Sequence, residues 1–124
     1  MSKPDVTWKD KPEAQDFQAA QDYLSLISAP KRAQGLVDAL RRAHSYERVA
    51  KDLLRASALP LLEPDEPHVA ADLKKIRKGK PLSPVLLVRG NLTEGVPLTI
   101  ADGYHRVCAA CHYDENAPIR CRIA

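Results

Sequence analysis

Leu98-Thr99-Ile100-Ala101-Asp102-Gly103-Tyr104-His105-Arg106-Val107-Cys108-Ala109-Ala110 is the stretch that decides how this chain is read. Its first residues are apolar and β-prone, they stop at Asp-Gly, and a helix-prone run begins at once. A strand therefore hands over to a helix at Gly103, and His105 and Arg106 fall in the first helical turn. The first N–H groups of a helix lack intrahelical acceptors, and the dipole there is positive. With an imidazole and a guanidinium added, that turn makes a seat for a phosphate or another anion. Asp102 has two roles open to it, as a helix cap or as the holder of a divalent cation that bridges to phosphates. Tyr104 either lines the pocket or packs on a base.

The elements around this turn follow from residue spacing. The helix runs from Tyr104 to Tyr113, Asp114 to Pro118 ends it, and Ile119, Cys121 and Ile123 alternate with Arg120 and Arg122 in a last strand. Upstream, Pro84 to Val88 is a buried strand, Asn91 to Gly95 a hairpin-like turn, and Pro97 to Ala101 the strand that delivers Asp-Gly. Earlier still, Leu59 to Leu62 is a short strand that Pro60 places at an edge. Asp65 is the expected N-cap of a helix with Val69, Leu73 and Ile76 on one face, which Gly79 ends. From Ala58 onward the predicted order is β-α-β-β-α-β.

The other half of the chain is helical. Phe17, Ala20, Leu24 and Ile27 recur at helical spacing between Glu13 and Ile27, and Ser28-Ala29-Pro30 stops that helix and restarts another through Leu36, Val37, Leu40 and Ala43. Tyr46, Val49, Ala50, Leu53 and Leu54 either continue the second helix or break from it. Residues 1–12 read as an extended arm pinned by Trp8. The fold class is α+β: an arm and helices over residues 1–57 packed on a core over residues 58–124, forming one unit.

Bulk properties narrow the function classes. A chain of 124 residues builds one core, and a formal net charge of +3 permits nucleic acid or nucleotide as a partner without demanding either. The N-terminus has no apolar signal-peptide core, and no window reaches the ~20 apolar residues of a membrane helix. The expectation is a cytoplasmic protein with no membrane partner and with Cys108, Cys111 and Cys121 reduced.

The element order, with Asp102-Gly103-Tyr104-His105-Arg106 between its third strand and second helix, resembles the ParB/sulfiredoxin superfamily over residues 58 to 123. Sulfiredoxins carry Gly-Cys-His-Arg at this turn and bind nucleotide phosphates with its His and Arg. ParB-type proteins carry Gly-Glu-Arg-Arg and bind CTP, and free-serine kinases carry Asp-Gly-His-His-Arg. Tyr104 stands where the sulfiredoxin Cys would be, so the resemblance does not extend to sulfiredoxin chemistry. No helix-turn-helix follows the motif, so a full partition protein is not expected.

The resemblance implies a nucleotide- or phosphate-binding protein, with Gly103, Tyr104, His105, Arg106, His68 and Lys75 as binding residues and Asp102 as the metal residue. The implied ligand is a nucleoside triphosphate or diphosphate with Mg²⁺. The implied reactions are nucleotide hydrolysis or small-molecule phosphotransfer, with a base from Glu63, Asp65 or Glu66. The alternative is a non-enzymatic module related to ParB that meets DNA or a protein, with Lys74, Lys75, Arg77, Lys78 and Lys80 as the basic cluster. A homodimer surface on the N-terminal helices is compatible with either reading.

Cys108-Ala109-Ala110-Cys111-His112 matches the Cys-x-x-Cys-His haem attachment pattern. Without a signal segment or an axial Met no haem is expected, and two Cys at i and i+3 beside small residues read better as helix packing than as a redox pair. A zinc site drawing on His112 and Cys121 lacks a known ligand spacing.

Overall fold

Val85-Leu86-Leu87-Val88 is apolar at every position because both of its faces are covered. The computed structural model describes residues 4–124. Residues 1–3 of the arm expected over 1–12 lie outside the described residues. In chain order the elements are α1 (Ala14–Ile27), α2 (Pro30–Arg42), β1 (Tyr46–Val49), α3 (Ala50–Ser57), α4 (Pro67–Arg77), β2 (Val85–Val88), β3 (Thr99–Asp102), α5 (Tyr104–Tyr113) and β4 (Pro118–Ile123). The protein is α+β.

The sheet has the order β1-β4-β2-β3. β4 lies parallel to β2, while β1 and β3 are antiparallel to their neighbours. One face carries α1 and α2, whose Phe17, Leu24, Val37 and Leu40 pack with Leu86 and Ala101. The other carries α3, α4 and α5, whose Leu53, Val69, Leu73 and Val107 pack with Val85, Leu87, Ile119 and Cys121. The period-two alternation of β2 thus divides its side chains between two cores.

Two expectations change places. Leu59 to Leu62 is not a strand. Pro60 lacks a donor, Leu59 and Leu61 are exposed, and the segment is a strap held through its carbonyls. The Tyr104 hydroxyl donates to Pro60 O, and His112 Nε2 lies 2.6 Å from Leu62 O. The sheet edge beside β4 is taken by Tyr46–Val49, in register from Tyr46↔Cys121 to Val49↔Pro118. The third apolar series therefore breaks from α2 and is a strand for four residues before it is a helix. α3 can start there because Ala50 N–H donates to Ala117 O at 3.0 Å and Lys51 N–H to Glu115 O at 3.0 Å.

From Ala58 the observed order is consequently α-β-β-α-β, with the first strand already placed at β1. β1 and α3 precede residue 58, yet they belong to the same sheet and core as the segments that follow it. The N-cap of α4 is Glu66 rather than Asp65, its carboxylate accepting Val69 N–H at 2.9 Å. Trp8 does pin the arm. Its indole N–H donates to Pro118 O at 3.1 Å, and Thr7 and Lys9 exchange backbone bonds with Leu82. Among the described residues, no helix is long and apolar enough to cross a membrane.

Ala58 ends α3 with φ +57°, the left-handed conformation that disfavours a Cβ. Ala58→Gly should raise stability by about 0.5–1 kcal/mol in urea unfolding, with an unchanged slope.

Candidate functional site

The handover from β3 to α5 is shaped by a bulge. Asp102 pairs with Leu86 and Ile100 with Leu87, so Ala101 is an extra residue in β3. A bulge bends its strand and re-aims the next side chain. Asp102 consequently shares the face of Leu86, the face that α1 covers. Gly103 then adopts φ +103°. A Cβ there would lie 3.0 Å from Arg106 Nη2 and 3.0 Å from Val85 Cγ2, so the position needs glycine for space as well as conformation.

Gly103 is the N-cap of α5, and no side chain caps that helix. Asp102 is engaged elsewhere. Arg106 folds back beneath Gly103, where Nη2 pairs with Asp102 Oδ2 and lies 3.7 Å from Asp16 Oδ1, and Nη1 donates to Ser83 O at 2.6 Å. Asp16 Oδ2 accepts Glu13 N–H at 2.8 Å in the first turn of α1. Burial and the neighbouring Asp16 carboxylate push the Asp102 carboxyl up to about 6, against the pull of Arg106. Arg106 holds Asp102 Oδ2, so a hard dication at Asp102 would have to share this carboxyl with a guanidinium.

Above this ion cluster opens a cleft of about 410 Å³. Gly103, His105 and Arg106 come to it from the α5 turn, His68, Asp72 and Lys75 from α4, and Lys9 and Glu13 from the arm and the start of α1. The N-termini of α4 and α5 meet at its rim, where the His68 and His105 rings stand 4.8 Å apart between centroids. Glu66 sits against both, with Oε1 3.0 Å from His68 Nδ1 and Oε2 3.8 Å from His105 Nε2. Desolvation works to raise the Glu66 carboxyl, but the Val69 N–H, the His68 ring and backbone and the charge of His105 hold it down at about 2. Burial pushes Asp72 up, opposed by Lys75, Arg106 and the two imidazoles.

Of the residues singled out in the sequence, Gly103, His105, Arg106, His68, Lys75 and Asp102 thus border one cleft. Tyr104 does not. It turns to the Pro60 strap and packs on the core. Arg106 reaches the cleft as part of its floor, with both terminal nitrogens held by the protein's own oxygens. Sequence reasoning missed Lys9, Glu13, Asp16, Asp72 and Ser83. Asp16 carried one usable signal, an acid three residues after Glu13 at a helix start, which the capping geometry of α1 uses.

The cysteines lie away from the cleft. Cys108 and Cys121 are buried and Cys111 half-buried, all three are free thiols, and burial pushes each of them up. They pack α5 on the sheet as small apolar side chains. Lys74, Lys75, Arg77, Lys78 and Lys80 are exposed around the end of α4.

The chain matches no protein-family model, no curated protein and no solved structure.

Two predictions test the ion cluster. Arg106→Ala leaves two buried carboxylates without their cation and should destabilise the fold by about 3–5 kcal/mol at neutral pH, read by urea unfolding. The deficit should shrink in acid as the raised Asp102 carboxyl takes up its proton. Separately, the raised Asp102 carboxyl binds its proton more tightly in the fold than in the unfolded chain, where its ordinary value is 3.8. The stability it contributes is full below that value and lost as pH rises through about 6. The stability of the wild type relative to Asp102→Asn should therefore fall between pH 4 and 6, measured by unfolding at a series of pH values. A difference that is flat or rises over that range would contradict the assignment.

Proposed function

We propose that this chain is a ParB/sulfiredoxin-like protein that binds a nucleotide or another phosphate-bearing ligand in the cleft between the N-termini of α4 and α5. One observation carries the reading. The uncapped first turn of α5 opens beside the first turn of α4, with His68, His105 and Lys75 around the same opening. Free N–H groups, aligned dipoles and mobile cationic donors are what a phosphate needs. The run α4-β2-β3-α5-β4, with β4 parallel to β2 and the motif turn between β3 and α5, supports the fold part of the reading.

The division of labour differs from the one the motif suggests. His105, His68, Lys75 and the α5 N–H groups would contact the anion, while Arg106 positions the turn from below. Mg²⁺ accompanying a nucleotide would be carried on the phosphates, which is its usual way of binding. Neither of the two acids nearest the helix ends is free to transfer a proton at neutral pH. Glu66 is held too acidic to be a strong base, and Asp102 is tied to Arg106. The reading is therefore of a binding protein first.

Calorimetric titration with ATP, ADP, CTP and GTP in the presence of Mg²⁺ tests it. Binding of at least one is expected, weakened about tenfold or more by His105→Ala or Lys75→Ala, each of which removes a charge-assisted bond. Silence from all four at millimolar ligand overturns it. A gel-shift series over salt keeps the DNA-binding alternative in view, because contacts from the Lys74–Lys80 cluster would weaken steeply as salt rises.

A further inference from the structure

We propose that Glu66, His68 and His105 form a three-ligand site for a divalent transition-metal ion of the zinc class at the rim of the cleft. Among the described residues, this is the one group of three or more His, Cys, Asp or Glu side chains whose ligand atoms converge, all within 4.8 Å of one another. Ligands around a tetrahedral zinc at 2.0–2.2 Å stand about 3.4 Å apart. Glu66 Oε1 stands 3.0 Å from His68 Nδ1 and Glu66 Oε2 3.8 Å from His105 Nε2, while one ligand atom from each residue falls within 4.8 Å of the others, so the set must draw together by about 1 Å to close on an ion. The two imidazoles are partly exposed, with side-chain accessibilities of 75% and 42%, so small rotations can bring their nitrogens onto an ion.

The donor set selects the class of ion. Two imidazoles and one carboxylate suit zinc and its neighbours in the first transition row, whereas Mg²⁺ and Ca²⁺ require mostly oxygen ligands. The ligands are held from two rigid directions. Glu66 and His68 come from the start of α4, and His105 comes from the start of α5. The Val69 N–H donates to Glu66 Oε2 and orients the carboxylate, the kind of outer support that metal ligands use.

Three protein ligands leave at least one coordination position open toward the cleft. The positive ends of α4 and α5 disfavour a bare dication there and favour one that carries an anion. That the anion is a phosphate oxygen rests on the reading of the cleft given above, but the ion site does not.

The experiment is titration of the metal-free full chain with Zn²⁺ by calorimetry and with Co²⁺ by visible absorption, both in the absence of phosphate. One equivalent should bind, and Co²⁺ should give the intense visible bands of four- or five-coordination without a thiolate charge-transfer band in the near ultraviolet. His68→Ala and His105→Ala should each weaken binding at least a hundredfold. Glu66→Gln should weaken it too, while its amide oxygen still accepts the Val69 N–H and preserves the start of α4. Circular dichroism confirms that the variants are folded, and Cys111→Ser should bind as the wild type does. Absence of binding at micromolar metal, or binding that survives the histidine substitutions, overturns the site. A parallel nucleotide titration in Mg²⁺ with a zinc-selective chelator separates this failure from failure of the phosphate reading, since each can occur without the other.

Discussion

The Arg106 guanidinium is the tie on which the rest of the molecule depends. It joins four segments: α5 to which it belongs, Asp102 at the end of β3, Ser83 before β2, and Asp16 at the start of α1. A guanidinium with 12% side-chain exposure persists only when its charge and donors are matched, and here two carboxylates and a carbonyl match them. The same tie fixes the neighbouring choices. Gly103 has no side chain because a Cβ would meet this guanidinium. The bulge at Ala101 turns Asp102 to the α1 face, where the ion cluster forms. The N-terminal helices are thereby locked to the motif turn rather than appended to it.

Legibility in the sequence followed the range of the interactions. α5 was readable to its ends because Gly103 starts it and Asp114 stops it, both through local backbone preference. α1, α2 and α4 were readable from apolar spacing for the same reason. Neither Tyr46–Val49 nor Leu59 to Leu62 could be assigned, since a segment of four residues is too short to show whether it is a strand, a strap or a helical turn. What placed the first in the sheet was β4, whose partner is chosen by distant packing. The cleft showed the same division. Gly103, His105 and Arg106 lie in one short motif, while Asp16, Lys9 and Ser83 reach it only through the fold. The motif announced that Arg106 matters but not that it faces inward, because its partners come from elements far away in the chain.

The convergence of α4 and α5 is a consequence of how their apolar faces pack. Val69 and Leu73 of α4 and Val107 and Ala110 of α5 bury themselves in one core, and that packing brings the two helix starts side by side. Two positive helix ends at close range favour an anion between them. Glu66 supplies one from inside the chain, capping α4 while facing His105. Its low carboxyl value is the electrostatic record of that position.

The charge around the cleft decides what kind of ligand such a site can take. Lys9 is paired with Glu13, Arg106 with Asp102 and Asp16, and Lys75 faces Asp72, so three cations meet four carboxylates and the lining carries a formal charge of −1 apart from the imidazoles. A cleft of this kind has little long-range field with which to gather anions from solution. Attraction must come from short-range donors: the uncapped N–H groups of α5, the two imidazoles, and whatever the imidazoles hold. Short-range donors discriminate by geometry rather than by charge alone, because each weakens sharply once the acceptor is misplaced. The same balance separates this cleft from the exposed Lys74, Arg77, Lys78 and Lys80 around the end of α4, whose charge acts at a distance and reads no shape. A phosphate-bearing ligand of the kind proposed would therefore have to match the spacing of two helix ends with its oxygens, and negative charge alone would not suffice.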